Sequence, residues 1–277
     1  MTARDIYRFI NEQDDNTIQR IIERLEFRGK DQTFRRWLEA YLNKLDLTPS
    51  AQILMLGCGT GVEVRILAGR SDFTGKVVGV DISPSLIEAA RRFAVEDGVD
   101  KNVEFIVGDA HALEYADDSF DVVIAHTLMS HLENPLAVIK EAARIVRPNG
   151  QIAIFDGDYA SWTFGYSDPD FAKKMDETLI GFIVNNPRVM RTIPRLLSQA
   201  GLTLEETIPH IFTEVGKGSF FIGAAETYAP LIAGAGLLPA DQVANWLTEQ
   251  QQNIKEGIFF ASGNYYTYLA RQVENIE

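Results

Sequence analysis

Ile53-Leu54-Met55-Leu56-Gly57-Cys58-Gly59-Thr60-Gly61 decides how this chain folds. The apolar run predicts a buried strand over 52–57, and the spacing after it predicts a helix over 61–69. A glycine-dense turn between the two lets a ligand lie against bare backbone, because no Cβ stands in the way. A second apolar run, Val77-Val78-Gly79-Val80, ends in Asp81. A carboxylate at the tip of a parallel strand can accept both hydroxyls of a ribose. Asp81 also reads as a cap for the helix that begins near Ser83. Turn and carboxylate together predict a nucleoside-containing cofactor. The dinucleotide fingerprint fails, since its third glycine would fall at Val62. No Lys-Ser/Thr pair follows the loop, so a triphosphate cradle is not expected either.

Outward from this stretch the chain alternates short apolar runs with helical patterns. Strands are expected at 76–81, 103–107, 120–125 and 151–155. Ser83-Pro84 starts a helix that carries Leu86, Ile87 and Ala90 inward and ends at Gly98. A further helix over about 134–147 is stopped by Pro148-Asn149-Gly150. Such alternation indicates parallel βαβ crossovers and a doubly wound α/β sheet. Two amphipathic helices, over 15–28 and 32–46, precede it. After Asp156 the rhythm changes. Residues 157–170 read as a loop rich in aromatics, 170–185 and 189–200 as helices, and 203–215 as a strand. Helical patterns return at 220–234 and 240–255, and 258–260 with 265–270 read as a closing strand region.

The chain has 277 residues, 46% of them hydrophobic, enough for one elaborated domain with a sizeable core. Its formal net charge of −13 repels phosphate backbones, which argues against a nucleic-acid partner. Cys58 is the only cysteine, so neither a disulfide framework nor a cysteine metal cluster can form within the chain. The N-terminus lacks the apolar core of a secretory signal, and no apolar run reaches the roughly 20 residues of a membrane span. The expectation is a cytoplasmic protein that binds neither membrane nor metal, with homodimerisation left open.

Five pieces occur in register: Leu56 to Gly61, Val80-Asp81-Ile82-Ser83, Gly108-Asp109-Ala110, Ser119-Phe120-Asp121-Val122-Val123 and Arg147-Pro148-Asn149-Gly150. Together they resemble the class I S-adenosylmethionine-dependent methyltransferases, in the small-molecule branch similar to ubiquinone/menaquinone biosynthesis methyltransferases. The resemblance covers about residues 50–156. It implies a Rossmann-like, mostly parallel seven-stranded sheet with a helical cap, and S-adenosyl-L-methionine as cofactor. It divides the chain into an N-terminal helical lid (1–48), a cofactor-binding core (49–156), and cap helices with closing strands (157–277). By the same resemblance Gly57, Cys58, Gly59 and Gly61 pass the methionine portion of the cofactor. Asp81 holds the ribose, Ile82 lies against the adenine, Asp109 and Ala110 sit at its edge, and His126 sits beside the methionine end. One departure stands out. The family usually has an acid two residues before the first glycine, where this chain has Met55. Another group must then neutralise the cofactor amino group. Arg28, between the two N-terminal helices, is a candidate cation for the cofactor carboxylate, and also reads as a surface charge.

Methyl transfer from a sulfonium needs alignment and exclusion of water more than it needs chemistry from the protein. A general base is required only when the acceptor must lose a proton early. His131 is a candidate base, since a histidine titrates near neutrality; it also reads as a loop histidine. Asp156 and Asp158, at the tip of the fifth strand, compete for the role. Tyr159, Trp162 and Phe164 leave the sheet at its ligand-binding edge and are the expected acceptor contacts. The expected reaction methylates a small aromatic or hydrophobic acceptor, at oxygen first and then nitrogen or carbon. The alternative is a cofactor-binding protein without transferase activity, a sensor or partner subunit. Methylation of protein or RNA is a third reading, disfavoured for RNA by the net charge.

Overall fold

The computed structural model describes residues 5–272; residues 1–4 of the expected lid and 273–277 of the expected cap lie outside them. Seven strands form one sheet: β1 (Gln52–Leu56), β2 (Lys76–Asp81), β3 (Val103–Val107), β4 (Phe120–His126), β5 (Val146–Phe164), β6 (Leu202–Val215) and β7 (Phe260–Gln272). Their order is β3-β2-β1-β4-β5-β7-β6. The first five run parallel, and β7 lies antiparallel between β5 and β6.

Period-two burial assigns each strand residue to one of two faces. Leu54, Leu56, Val78, Val80, Val123 and Ala125 pack on one side, beneath α5 (Pro135–Ile145) and α7 (Ile193–Gln199). Ile53, Met55, Val77, Val122 and Ile124 face the other. That side is covered by α2 (Gln32–Leu42), α3 (Val62–Ala68), α4 (Pro84–Glu96), α6 (Pro169–Ile183), α8 (Phe220–Gly234) and α9 (Ala240–Glu256). Helices on both faces leave the strands buried on both sides, hence their continuous apolar runs. Met55 is thus a core side chain. A carboxylate there would be buried among hydrocarbon.

Local chemistry sets the helix starts. Ser83 Oγ accepts from Leu86 N at 3.3 Å with Pro84 in the first turn, and Asn134 Oδ1 accepts from Ala137 N at 3.2 Å before Pro135. Asp14 caps α1 (Asp15–Lys30), and Asp31 both ends α1 and caps α2 through Thr33 N and Phe34 N.

The expected loop at 157–170 is corrected. β5 continues to Phe164, pairing with β7 through Asp158↔Asn264, losing register, and resuming at Thr163↔Ser262. The irregularity breaks the period-two pattern, so the extension carried no strand signature. Its long-range partner β7 holds it in place. The expected boundary at 156 therefore falls inside a strand, and of the expected closing regions residue 260 and residues 265–270 fall in one strand, β7, while 258–259 precede it. Among the described residues no helix is long and apolar enough to cross a membrane.

Candidate active site

The glycine turn sits where β1 lies between β2 and β4, whose connections leave toward opposite edges of the sheet. Ligands of open α/β sheets bind in the crevice beyond the strand ends at such a point. A cavity of about 540 Å³ opens there, within the usual range for small-molecule sites. Gly57, Gly59 and Gly61 all have positive φ, at 62°, 54° and 74°. A Cβ on Gly57 would meet Leu128 Cδ1 at 2.7 Å, so only glycine lets the turn pass this close to the start of the next loop.

Asp81 is tied to this turn. Its Oδ2 accepts from Gly59 N at 2.8 Å and its Oδ1 from Ser83 N at 3.0 Å. The sequence left ribose ligand and helix-start cap as alternatives; the carboxylate braces both the glycine turn and the entry to α4, and it also lines the cavity. Burial pushes its carboxyl above the ordinary value, against the pull of the Ser83 and Gly59 hydrogen bonds. Ile82, 49% exposed, offers an apolar wall beside it. Asp109 and Ala110 also line the cavity, and Asp109 Oδ1 accepts from His111 N at 2.9 Å. The Cys58 side chain is buried in the core and would touch any Cβ at Gly79. Burial, then the charges of Asp81 and Glu63, push its thiol well above the ordinary value, so it is inert.

His126 ends β4 with its ring stacked on Phe155, centroids 4.4 Å apart. Its Nδ1 lies 2.9 Å from the Tyr41 hydroxyl and its Nε2 3.4 Å from Glu63 Oε1. Burial lowers its pKa to about 4, outweighing the opposing effect of Glu63, so the ring is neutral at pH 7. A carboxylate facing Nε2 favours the proton there, which leaves Nδ1 to accept from Tyr41.

Glu63 was not foreseen. It stands in the first turn of α3, directly behind the glycine turn, its side chain 12% exposed. Arg28 Nη2 lies 3.9 Å from the same Glu63 oxygen. The cavity wall therefore carries a carboxylate and a guanidinium side by side, next to a neutral imidazole. The anion missing at Met55 is present here instead, two residues past the last glycine. Helix α1 is locked onto the turn by Glu26, which accepts from Thr60 Oγ1 at 2.7 Å and from Arg65 Nη2 at 2.7 and 2.8 Å.

His131 lines the cavity on a short turn after β4. Its Nδ1 lies 2.6 Å from Asp5 Oδ2, with Tyr7 beside the ring. Burial lowers its pKa, but the charge and hydrogen bond of Asp5 and the charge of Asp156 outweigh this and raise it above the ordinary value. Asp156 is fully buried and accepts from Ser130 N at 2.9 Å and Gly157 N at 2.8 Å. It stands outside the cavity lining and braces the His131 turn.

The structure does not bring Asp158 to the cavity. Its carboxylate is clamped by Arg191, with three contacts of 2.9 to 3.0 Å, at the last residue of β5 before the irregularity. Phe164 is likewise elsewhere, packed against Trp246 and Phe221 in the core. Phe164 shares the Trp162 face of the strand but lies one pleat further along it, beyond the cavity, where α8 and α9 close over it. Tyr159 and Trp162 do line the cavity. They are joined by Phe220 and Tyr228 of α8 and Tyr265 of β7, whose approach no local pattern announced. Among the described residues, no cluster of three or more His, Cys, Asp or Glu is placed to hold a metal.

Residues 47–216, more than half of the chain, match the family described as a methyltransferase domain, and the chain belongs to it. It is an S-adenosylmethionine-dependent methyltransferase of the small-molecule branch. It is similar, at 28% identity over 239 residues, to an uncharacterized 37.1 kDa protein in transposon TN4556 of Streptomyces fradiae, covering 86% of this chain and 67% of that one. It is 38% identical over 112 residues to the 27-O-demethylrifamycin SV methyltransferase of Amycolatopsis mediterranei, covering 40% of each. The chain therefore spans about two thirds or less of these curated relatives. The crystal structure of the YcgJ protein of Bacillus subtilis shares the fold, with a TM-score of 0.59 at 18% identity, covering 87% of this chain and all of that one.

The residues present fit S-adenosylmethionine. The three glycine positions of the turn have no room for side chains, a half-buried carboxylate that could accept from a ribose stands at the tip of β2, and an anion–cation pair matches a zwitterionic amino-acid end.

Proposed function

We propose that this protein methylates a small acceptor with an aromatic or apolar body, at oxygen in the first instance. One observation carries the reading: a single cavity runs from the glycine turn and Asp81 to a chamber walled by Tyr159, Trp162, Phe220, Tyr228 and Tyr265. The bound cofactor supplies an activated methyl group and a thioether leaving group. Asp81 accepts the ribose hydroxyls, Ile82 covers one adenine face, and Asp109 with Ala110 borders the adenine edge. Glu63 accepts from the amino group of the methionine end and Arg28 donates to its carboxylate, while neutral His126 adds no competing charge. The aromatic chamber excludes water and orients the acceptor. His131, held by Asp5, takes the proton that the acceptor hydroxyl loses.

Glu63→Gln is expected to weaken S-adenosylhomocysteine binding about 5- to 150-fold, the worth of a charge-assisted hydrogen bond. It leaves 5′-methylthioadenosine, which lacks the amino-acid end, bound as before. Calorimetry with both compounds checks this, and equal losses for the two would remove the assignment.

The reaction itself is tested by incubating the protein with methyl-labelled cofactor and a small-metabolite extract, then following label into organic-soluble product. Absence of any labelled small molecule favours the sensor or partner-subunit reading. For the component that takes label, the rate is expected to rise with pH through a value above the ordinary histidine pKa of about 6.5. A base must be neutral, and the folded-state pKa is raised, so activity is lost as pH falls through that value. His131→Gln is expected to lower the rate about 10²- to 10⁴-fold and to abolish this limb, with S-adenosylhomocysteine affinity unchanged. A retained acid limb in the variant would assign the proton to another group.

A further inference from the structure

Arg24 lies one turn before Arg28 on α1, on the same face of the helix, and both line the cavity. Arg28 stands beside Glu63 and over the Phe34 ring, while the Arg24 guanidinium lies over the rings of Tyr228 and Phe220, 5.3 and 5.8 Å from their centroids. Arg24 has no carboxylate partner among the described residues. The titratable groups that act on it most strongly are tyrosines: Tyr228, Tyr7, Tyr159 and Tyr265. Burial holds the hydroxyls of Tyr159, Tyr228 and Tyr265 above their ordinary value, so they are neutral at pH 7. The cation therefore has aromatic faces but no counter-anion.

The Trp162 indole N–H and the Tyr265 hydroxyl are sealed from the cavity, Trp162 Nε1 lying against β7 at Gly263. The chamber therefore offers a guanidinium among neutral aromatic rings, and what it lacks is an anionic oxygen. The acidic residues of the cavity, Glu63, Asp81, Asp109 and Glu133, lie at the cofactor end or the mouth.

We infer that the acceptor is an organic acid, its carboxylate bound by Arg24 and its aromatic or apolar body held between Tyr159, Phe220 and Tyr228. This deepens the methyltransferase reading and rests on it. The carboxylate anchors the molecule and is not the methylated atom, because a guanidinium pairing would quench its nucleophilicity. It also sets specificity: an uncharged analogue leaves the Arg24 charge unpaired, a larger penalty than a missing methylene.

The test uses full-length protein saturated with S-adenosylhomocysteine. Tryptophan fluorescence titrations compare 4-hydroxycinnamate and 3-(4-hydroxyphenyl)propionate with their primary amides, which match in shape and lack the charge. The acids are expected to bind at least tenfold more tightly than the amides. Arg24→Gln brings that ratio to near one, and Arg24→Lys restores part of it. Equal binding of acid and amide to the unaltered protein, no binding of either acid, or an unchanged ratio in Arg24→Gln overturns the proposal. S-adenosylhomocysteine affinity is measured alongside for each variant. Its retention shows that the variant is folded, and its loss in Arg24→Gln alone would reassign Arg24 to the cofactor and overturn the proposal. Failure of the unaltered protein to bind S-adenosylhomocysteine, with the acid preference intact, would instead remove the methyltransferase reading and leave the acid site standing.

Discussion

Asp81→Ala is expected to lower S-adenosylhomocysteine affinity by about 1–3 kcal/mol, roughly 5- to 150-fold, with the upper end favoured by its double duty. The carboxylate holds Gly59 N and Ser83 N as well as facing the cavity. Removing it deletes the ribose acceptor and frees the N–H that keeps the glycine turn in shape. Both losses fall on the same binding step. Asp81→Asn, which keeps one acceptor oxygen and loses the charge, is expected to fall between the two proteins. Calorimetric titration measures the series, and an affinity within twofold of the unaltered protein in Asp81→Ala would dismiss Asp81 as the ribose ligand.

The largest stability effect is expected at Gly61. Its φ of +74° is unfavourable for any residue with a Cβ, at about 1–2 kcal/mol. An added Cβ would also stand 2.5 and 2.6 Å from Phe105 Cε1 and Cζ, and 3.3 Å from Ala90 Cβ. Phe105 is buried in the core, so it cannot swing clear. Overpacking of this kind costs about 1–3 kcal/mol, and the two terms together predict a loss of about 2–5 kcal/mol for Gly61→Ala. Urea denaturation reads the change as a lower midpoint. Gly181→Ala, in the last turn of α6 with nothing within 4 Å of its added Cβ, is the control and is expected to gain up to about 1 kcal/mol. If Gly61→Ala proves as stable as the control, the tight approach of the turn to Phe105 is wrong.

Much of this was legible in the chain itself. The strand, glycine turn and acid-tipped strand lie within thirty residues of one another and obey short-range rules. Their placement followed from hydrophobic period and the steric demands of glycine. The helix starts at Ser83 and Asn134 were equally local, since a cap acts within three residues. Arg28 was visible as a cation near the turn, and Arg24 could have been found with it. The i, i+4 spacing puts both on one face of a helix already expected over 15–28. Glu63 carried a local signal of its own, an acid in the first helical turn directly behind the glycines, which places a carboxylate near the turn although Met55 is apolar.

Asp158 and Phe164 show the opposite limit. Both belong to a segment read as a loop, where direction is unconstrained. Once β5 runs on to Phe164 against β7, the pleat and its irregularity decide which side chains face the cavity. Asp158 then meets Arg191, 33 residues on, and becomes structural.

The amino-acid order alone thus determined the doubly wound sheet, the glycine turn and the carboxylate at the tip of β2, since each arises from neighbours whose geometry is set by backbone sterics and burial period. Only the tertiary structure decided which distant polar groups share a wall. Asp5 reaches His131 across 126 positions, His126 faces Glu63, and Arg24 lies under Tyr228. Such meetings depend on how whole helices dock on the sheet, a cooperative balance of packing over the entire core, and no local spacing encodes it.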